Sequence, residues 1–309
     1  MSIDLPNKYR GTLLGLAIGD ALGVPVEFKK RGTFEPVVDY RDCEHFSLPA
    51  GHWSDDTAMA LCLAYSFIEK KTFDAEDQIE KYKQWLESGY CSSTGKAVDV
   101  GQTILRALLT HDKRDGPYVA ISSVRSDGNG SLMRIAPVPL FYKNMPDQAF
   151  EKAELSSKVT HGSQLCSAAC KFYTGLIIGA LNGTSKEELL SESYSPIPDY
   201  WKNVKIESAI REIMMGSYKQ KNPPEIEGSG YVVKTLEASL WAFYNSNSFE
   251  EGVLMAVNLG DDADTTGAVF GQLAGAYYGL ESIPEKYVSN LAKKDELLDV
   301  AEKLLAVAI

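Results

Sequence analysis

Apolar residues recur at helical spacing along most of the chain, and 3.6 residues per turn is the dominant period. In the first segment the positions that share one helical face are Leu13, Leu14, Ala17, Ile18 and Ala21. A second series covers residues 59–68, and a third predicted helix is framed by Asp74 as its N-cap and by Gly89 as its stop. Eight further segments with this pattern are 101–109, 148–158, 163–181, 208–218, 232–244, 249–258, 266–280 and 291–308.

Signals for β-strands are few and short. They occur at residues 37–38 and 118–124, and no regular alternation of strands and helices accompanies them. We therefore predict an all-α fold, built as a single compact domain over residues 1–309. Residues 185–230 are more polar and contain four prolines, so we interpret them as an irregular excursion within that domain. Small residues on the predicted packing faces, which allow close helix packing, are Gly175, Gly179, Gly267, Gly271, Ala274 and Gly275.

Charge and composition narrow the range of functions. The 309 residues include 31 Lys and Arg against 42 Asp and Glu, and the resulting net charge of −11 argues against a nucleic-acid partner. Five cysteines without a CxxC pair are typical of a reducing compartment. Residues 1–10 are polar and Asp20 interrupts the apolar stretch that follows, so we predict neither a signal peptide nor a membrane span. We expect a cytoplasmic monomer with no membrane partner.

The first candidate for chemistry is the sequence WSDDT at residues 53–57, where a loop enters the second predicted helix. Ser54 is suited to an N-cap, and Asp55 and Asp56 are favoured near the positive end of a helix dipole. Helix capping alone therefore explains this segment as well as a catalytic role does. The two interpretations stay open at this point.

A second acidic cluster, GDDADTTG at residues 260–267, is harder to explain by capping. Its three acids lie within four residues at the start of an apolar helix, and buried carboxylates held together repel one another unless a cation neutralises them. The spacing resembles the start of an EF-hand, but Leu273 stands where the bidentate Glu is required, so that interpretation fails. Donors that are all oxygen atoms favour Mg²⁺ or Mn²⁺. If the two clusters meet in space, a site for about two metal ions follows.

Three further segments have the character of active-site loops, namely residues 19–28, 127–134 and 160–163. The second begins with Asp-Gly-Asn-Gly, a strong turn signal, and it departs from the dinucleotide-binding pattern because Met133 replaces the third glycine. Its Gly-Asn-Gly sequence is suited to presenting backbone N–H groups to a phosphate. His161, in the third segment, is also compatible with a simple capping or surface role. The spacing assembles no arrangement for nucleophilic catalysis.

In this order along the chain, the sequences GLAIGDALGVPVEF, WSDDT, VDVGQT, GNGSLMRIAPV, THGS and GDDADTTGAVFGQLAGAYYG resemble the ADP-ribosylglycohydrolase family. That family includes the bacterial dinitrogenase reductase-activating glycohydrolases, and the match runs from Gly11 to Gly279. The resemblance implies an orthogonal multi-helix fold, a centre of two Mg²⁺ or two Mn²⁺ ions, and hydrolysis that releases ADP-ribose from a modified group. It also implies an ADP-ribosylated protein, or ADP-ribose itself, as the partner.

The resemblance implies roles for individual residues. The implied metal ligands are Ser54, Asp55, Asp56, Asp262, Asp264 and Thr265. The implied contacts with ADP-ribose are Gly128, Asn129, Gly130, Ser131, His161, Ser229, Gly230 and Tyr231. Glu27 resembles an acid near the metal centre and the ribose, and Asp99 resembles one that arginine-specific members direct toward the departing guanidinium. Ser54 and Asp261 replace the Thr and Gly of many members; Ser54 keeps the hydroxyl, and the orientation of Asp261 stays open.

We expect a metal-dependent glycosidic hydrolase whose transition state has oxocarbenium character. The candidates for catalytic proton transfer are Glu27, Asp55, Asp56 and Asp264. Asp99 would hold a cationic leaving group, which favours mono-ADP-ribosylated arginine as the substrate. The alternatives are a serine-linked ADP-ribose or another nucleotide-like N- or O-glycoside, and a non-catalytic ADP-ribose-binding module. The intact acidic motifs disfavour the binding module, since buried acids without a metal destabilise a fold.

Overall fold

The computed structural model describes residues 4–119 and 127–309. Within these ranges the chain forms fourteen α-helices and only isolated β-bridges, which confirms the predicted all-α fold. The helices are α1 (Leu5–Gly23), α2 (Asp55–Lys70), α3 (Ala75–Ser88), α4 (Gln102–Leu109), α5 (Pro137–Phe141), α6 (Pro146–Lys158), α7 (Gln164–Leu181), α8 (Lys186–Leu189), α9 (Ser208–Met214), α10 (Val232–Asn245), α11 (Phe249–Val257), α12 (Ala263–Tyr278), α13 (Glu285–Ser289) and α14 (Lys294–Val307).

Local sequence signals locate both ends of α3. The Asp74 carboxylate accepts a hydrogen bond from the Asp77 N–H at 3.0 Å at the start of α3, and Gly89 ends that helix in the left-handed conformation. The loop predicted over residues 19–28 is wrong in its first half, because α1 continues to Gly23 through buried Ala21 and Leu22.

The predicted strand signals have no counterpart in the described residues. Residues 37–38 form no strand, and most of the segment 118–124 lies outside the described ranges. Within residues 185–230 the chain forms the short helices α8 and α9 and two 3₁₀ turns, Tyr200–Asn203 and Ser217–Gln220. Helix α7 is long and apolar enough to cross a membrane, but 83% of it is buried in the structure, as in a core helix.

The centre of the fold is the contact between α1 and α12, the most extensive helix pair in the described part of the chain. Their backbones touch through glycines spaced four residues apart on each helix. A Cβ atom built on Gly15 would lie 2.4 Å from the Gly271 carbonyl oxygen, and one built on Gly19 would lie 2.0 Å from that of Gly267. Only residues without a side chain fit this spacing.

This glycine contact sets an antiparallel register that positions the acidic segments. Gly11 faces Gly275 near one end, and Gly23 lies against Asp264 at the other, where an added Cβ would be 2.4 Å from the Asp264 nitrogen. The C-terminal end of α1 is therefore placed beside the N-terminal end of α12. The sequence that leads out of α1, with Glu27, follows at the same end of the molecule.

We predict that Gly271→Ala destabilises the protein strongly, because its methyl carbon would lie 1.9 Å from the Gly15 carbonyl oxygen. Urea unfolding should show a loss of about 3 kcal/mol in the free energy of unfolding. The matched control is Gly101→Ala, where the nearest atom to the new methyl group, Ile104 Cδ1, is 3.7 Å away. That variant should remain within about 0.5 kcal/mol of the original chain. Equal stability of the two variants would contradict the described helix contact.

Candidate functional site

A buried aspartate of α1 organises the start of α2. Asp20 Oδ1 accepts hydrogen bonds from the Ser54 N–H and hydroxyl, both at 2.8 Å. Asp20 Oδ2 accepts from the Thr57 N–H at 3.0 Å and from its hydroxyl at 2.6 Å. Both carboxylate oxygens of Asp20 thus accept hydrogen bonds from protein donors. The sequence predicted that the Ser54 side chain caps α2, but in the structure the Asp20 side chain accepts from the N–H groups at the start of this helix. Asp20 is the residue that positions the WSDDT segment.

The two acidic clusters predicted from sequence meet in space. The Ser54 hydroxyl, at the start of α2, lies 3.2 Å from Asp264 Oδ2 of α12 and 3.3 Å from Asp56 Oδ2. From the other side, the Thr265 hydroxyl lies 3.5 Å from Asp56 Oδ2. Two helix N-termini therefore converge on one group of carboxylates, and the positive ends of their dipoles partly offset its negative charge.

The carboxylates are close enough to share a cation. One oxygen each of Asp20, Asp56 and Asp264 lie within 4.8 Å of one another, and the same holds for Glu27, Asp99 and Asp264. Three buried carboxylate oxygens in this region lack a hydrogen-bond donor among the described residues. They are Glu27 Oε2, Asp56 Oδ1 and Asp262 Oδ1. Buried acceptors without a donor are costly in a protein alone and are the expected ligands of a hard cation.

Burial and mutual repulsion raise the pKa of each member of the cluster. Burial is the main cause for Asp55, Asp56 and Asp264, followed by the charges of neighbouring aspartates, and it raises the pKa of all three well above the usual range. Burial likewise raises the pKa of Asp99 to about 6. The pKa of Glu27 is raised mainly by burial, and the charge of Asp264 is the next largest cause. Without a cation, the group cannot be fully ionised at neutral pH.

The donor set fits Mg²⁺ or Mn²⁺. It consists of carboxylate and hydroxyl oxygens, with no sulfur or imidazole ligand among the grouped residues. Asp20 is already saturated by four donors, so the free oxygens on Asp56 and Asp262 are the better candidates for ligation. A divalent ion at this position would replace proton binding as the means of neutralising the cluster.

Acids of the cluster line a cavity of about 550 Å³. Ten of the predicted site residues line it, namely Glu27, Asp55, Asp99, Gly128, Asn129, Gly130, His161, Gly230, Asp262 and Thr265. The predicted residues Ser54, Asp56 and Asp264 are buried behind this lining. The structure therefore places most of the predicted residues around one space of the size that small ligands occupy.

The Gly-Asn-Gly loop is joined to the segment before α10. The Asn129 N–H donates to the Gly230 carbonyl at 3.1 Å, and the Val232 N–H donates to the Asp127 carbonyl at 2.9 Å. The Asn129 amide nitrogen also donates to Asp262 Oδ2 at 3.1 Å and to the Thr235 hydroxyl at 3.0 Å. Asn129 thus links the glycine-rich loop directly to the acidic cluster.

His161 and Gly130 pack closely on the wall of the cavity. A Cβ atom at Gly130 would lie 2.8 Å from Ile104 Cδ1 and 3.1 Å from His161 Cε1, so a larger residue would fill the space. His161 is almost fully buried, with 1% of its surface exposed. Burial, reinforced by the charge of Arg134, lowers the pKa of His161 to about 3, so the ring is neutral. This environment differs from the surface role that the sequence also allowed.

Three predicted contact residues do not line the cavity. The Ser131 hydroxyl is buried at 2.8 Å from the Ser157 hydroxyl, so its side chain points into the core. The Ser229 carbonyl accepts from the Thr235 hydroxyl at 2.7 Å, and Tyr231 is 38% exposed at the surface beside it. These three residues therefore belong to the structure around the Gly-Asn-Gly loop and not to the cavity wall.

Asp261 connects two backbones that border the cavity. Its N–H donates to the Lys29 carbonyl at 2.8 Å and its carbonyl accepts from the Phe28 N–H at 2.7 Å. It adopts a φ of 53°, and the N-cap position of α12 belongs to Asp262. The described contacts of Asp261 are therefore made by its backbone, and they fix the segment that carries Glu27.

Sequence reasoning assigned no role to several residues of the site. Phe28 is 63% exposed on the cavity rim, with its ring 5.5 Å from that of His45 in an edge-to-face contact. Thr235 and Asp20 act through partners that are distant in sequence. The sequence offered one signal for these residues, which was Asp20 itself. An acid within the apolar pattern of α1 is buried, and a buried Asp requires hydrogen-bond donors.

Comparisons with known proteins give consistent matches over the whole chain. A family model described as ADP-ribosylglycohydrolase matches residues 1–309. The "ADP-ribosylarginine hydrolase Tri1" of Serratia proteamaculans (strain 568) is 36% identical over 304 residues, which cover 98% of this chain and 80% of that protein. The "ADP-ribosyl-[dinitrogen reductase] glycohydrolase" of Rhodospirillum rubrum is 30% identical, and the match covers 98% of this chain and 97% of that protein. The solved structure of an "ADP-ribosylglycohydrolase-related protein complex" has a TM-score of 0.86 and 38% identity, with 99% of each chain covered.

We predict that Asp20→Asn destabilises the protein by about 1–3 kcal/mol in urea unfolding, because an amide nitrogen cannot accept the hydrogen bonds that Ser54 and Thr57 donate. The control is Asp39→Asn, an exposed position whose described hydrogen bond is to the next residue. It should change the free energy of unfolding by less than about 0.5 kcal/mol. If Asp20→Asn is as stable as this control, Asp20 does not organise the start of α2.

Proposed function

Since the chain belongs to the ADP-ribosylglycohydrolase family and is a hydrolase of glycosidic bonds, we propose that it releases ADP-ribose from a modified arginine side chain of a protein. The observation that carries the proposal is the cavity of about 550 Å³, in which a buried carboxylate cluster faces a glycine-rich loop. The carboxylate cluster suits a cationic leaving group, and the glycine-rich loop suits the diphosphate of ADP-ribose.

Arginine is favoured by the charge of the acids in the cavity. Glu27, Asp55 and Asp99 all line the cavity, and its lining within residues 4–119 and 127–309 includes no lysine or arginine. A guanidinium that enters here meets carboxylates with which it forms charge-assisted hydrogen bonds, whereas a serine hydroxyl gains much less. The relatives named as ADP-ribosylarginine hydrolases, at 36% identity, support the same choice.

We propose two divalent cations, Mg²⁺ or Mn²⁺, as the cofactors. The residues that would hold them are Ser54, Asp55, Asp56, Asp262, Asp264 and Thr265. When bound, such ions lower the pKa of a coordinated water and orient the hydroxyl groups of a ribose.

The chain's own residues supply binding and proton transfer. The backbone N–H groups around Gly128 and Gly130 border the space that the diphosphate would occupy. Glu27 Oε2 has no hydrogen-bond donor among the described residues and its carboxyl lines the cavity, so this oxygen would exchange a proton with water or with the leaving nitrogen. Asp99 lies beside it and would hold the departing guanidinium.

We also propose that the protein works in a reducing compartment, in agreement with the cytoplasmic location expected from the sequence. Cys43, Cys62, Cys91 and Cys170 are buried and form no disulfide bond. Burial raises the pKa of Cys166 and of Cys170, the latter to about 11, which keeps these thiols protonated and unreactive. Such cysteines serve as small apolar core residues.

The proposal predicts metal-dependent release of ADP-ribose from an arginine-ADP-ribosylated protein. Release should occur with Mg²⁺ or Mn²⁺, stop with EDTA, and fall by at least about 100-fold in Asp262→Ala, which removes a buried oxygen without another partner. Serine-linked substrate should be cleaved far more slowly in parallel assays. Rapid cleavage of the serine-linked substrate alone would agree with a hydrolase activity but would contradict arginine as the modified residue.

Binding of the metal can be measured separately from catalysis. Saturating Mg²⁺ or Mn²⁺, at about 100 times its dissociation constant, should stabilise the folded chain by about 2.7 kcal/mol. This stabilisation should be reduced in Asp262→Ala. An active enzyme whose melting temperature and turnover are both insensitive to divalent ions would contradict the metal assignment.

We further predict that Asp99→Asn selectively impairs arginine-linked substrate. The charge that faces the guanidinium is lost, so kcat/KM for this substrate should fall by about 10- to 100-fold, as for the loss of a charge-assisted hydrogen bond. The residual rate on serine-linked substrate, which has a neutral leaving group, should change much less. Equal losses on both substrates would place Asp99 in the common chemistry and not in recognition of the leaving group.

A further inference from the structure

Arg134 is a fully buried cation with no carboxylate partner among the described residues. Its Nη2 donates to the Thr160 hydroxyl at 2.7 Å and to the Ser156 carbonyl at 3.4 Å, and its guanidinium lies 4.6 Å from the centre of the Tyr82 ring. Burial of a charge without a counter-ion destabilises a fold. The position of Arg134 therefore calls for an explanation other than stability.

The Thr160 hydroxyl connects Arg134 to His161. Its oxygen accepts from Arg134, because a guanidinium can only donate, and it lies 2.8 Å from His161 Nδ1. The hydroxyl proton has no other described acceptor than this nitrogen. If Nδ1 carried a proton, the buried hydroxyl would face two donors and leave its own proton without a partner. The arrangement is therefore satisfied only when Nδ1 is unprotonated.

This assignment leaves the proton of the neutral ring on Nε2, which faces the cavity. Nε2 lies 3.4 Å from the position that a Cβ atom would take on Gly128, and at the same distance from that on Gly130. No described residue accepts a hydrogen bond from Nε2, and the atom is not among the buried polar atoms left without a partner. It is free to donate to a ligand that lies along the glycine-rich loop.

We infer that Arg134 and Thr160 are positioning residues that hold His161 as a neutral donor, with its Nε2–H directed at an oxygen of bound ADP-ribose. The identity of that ligand rests on the proposed function, whereas the tautomer rests on the contacts of the apo chain. A neutral ring suits this place because a protonated ring would put a second positive charge beside the buried guanidinium of Arg134. Burial also favours the neutral ring, because it lowers the pKa of His161.

The tautomer can be measured on the unmodified chain. With ¹⁵N-labelled histidine, the chemical shifts of the two ring nitrogens report which one is protonated, and the chain has only four histidines. His161→Gln assigns the signal by its disappearance. We expect a protonated Nε2 and an unprotonated Nδ1 for His161 at neutral pH. A ring protonated on Nδ1, or on both nitrogens, would overturn the inference.

The pair Thr160→Val and Thr160→Ser tests the positioning role. Valine keeps the shape but removes the hydroxyl, so we expect a mixture of tautomers and about 10- to 100-fold weaker binding of ADP-ribose by calorimetry. Serine keeps the hydroxyl and should retain the Nε2–H tautomer, with binding within about threefold of the original. Unchanged tautomer and affinity in Thr160→Val would overturn the positioning role.

A double-mutant cycle separates positioning from a merely structural effect. In a His161→Ala background, Thr160→Val should weaken binding no further, because its effect passes through the imidazole. Additive losses would mean that Thr160 acts on the fold and not through His161, and would reject the inference. If the original chain has the expected tautomer but does not bind ADP-ribose, the proposed function and the ligand fail while the proton assignment stands.

Discussion

The backbone contact between α1 and α12 is the constraint on which the site depends. Glycines at 15 and 19 of α1 meet glycines at 271 and 267 of α12, with no room for a side chain between them. The observed register pairs Gly15 with Gly271 and Gly19 with Gly267, and a slip of one turn would displace the helices by about 5.4 Å. Such a slip would remove Asp20 and Glu27 from the N-terminus of α12. The position of the acids is thus set by residues that take no part in chemistry.

The acidic cluster is a place where function is gained at the expense of stability. Burial raises the pKa of Asp55, Asp56 and Asp264, and neighbouring charges raise it further. Hydroxyl donors and two helix N-termini offset part of that cost. Three buried carboxylate oxygens of the cluster remain without a hydrogen-bond donor among the described residues. This cost to stability is what supports the proposed divalent cations.

The sequence predicts the helices well because their signals are local, as the capping of α3 by Asp74 illustrates. It also predicts the acidic cluster at residues 260–267, since three acids in four residues exceed what a helix start needs, whereas helix capping explained WSDDT at residues 53–57 equally well. The long-range partners are different. Asp20 contacts residues 34 and 37 positions away, and Arg134 reaches Thr160 across 26 positions. No periodic pattern encodes such pairs, and for Ser131 the motif alone could not show that its hydroxyl points into the core.

The proposed substrate would meet charges of both signs in the cavity. Carboxylates of Glu27 and Asp99 line it, and so does His161, behind which lies the buried charge of Arg134. An ADP-ribosylated arginine carries its cation and its diphosphate at opposite ends of the ribose, so only one orientation places both in favourable surroundings. The reverse orientation would set phosphates against carboxylates in a partly desolvated space, where repulsion is strong. Orientation of the substrate is therefore a property of the charge distribution, and it does not require a close fit to the modified protein.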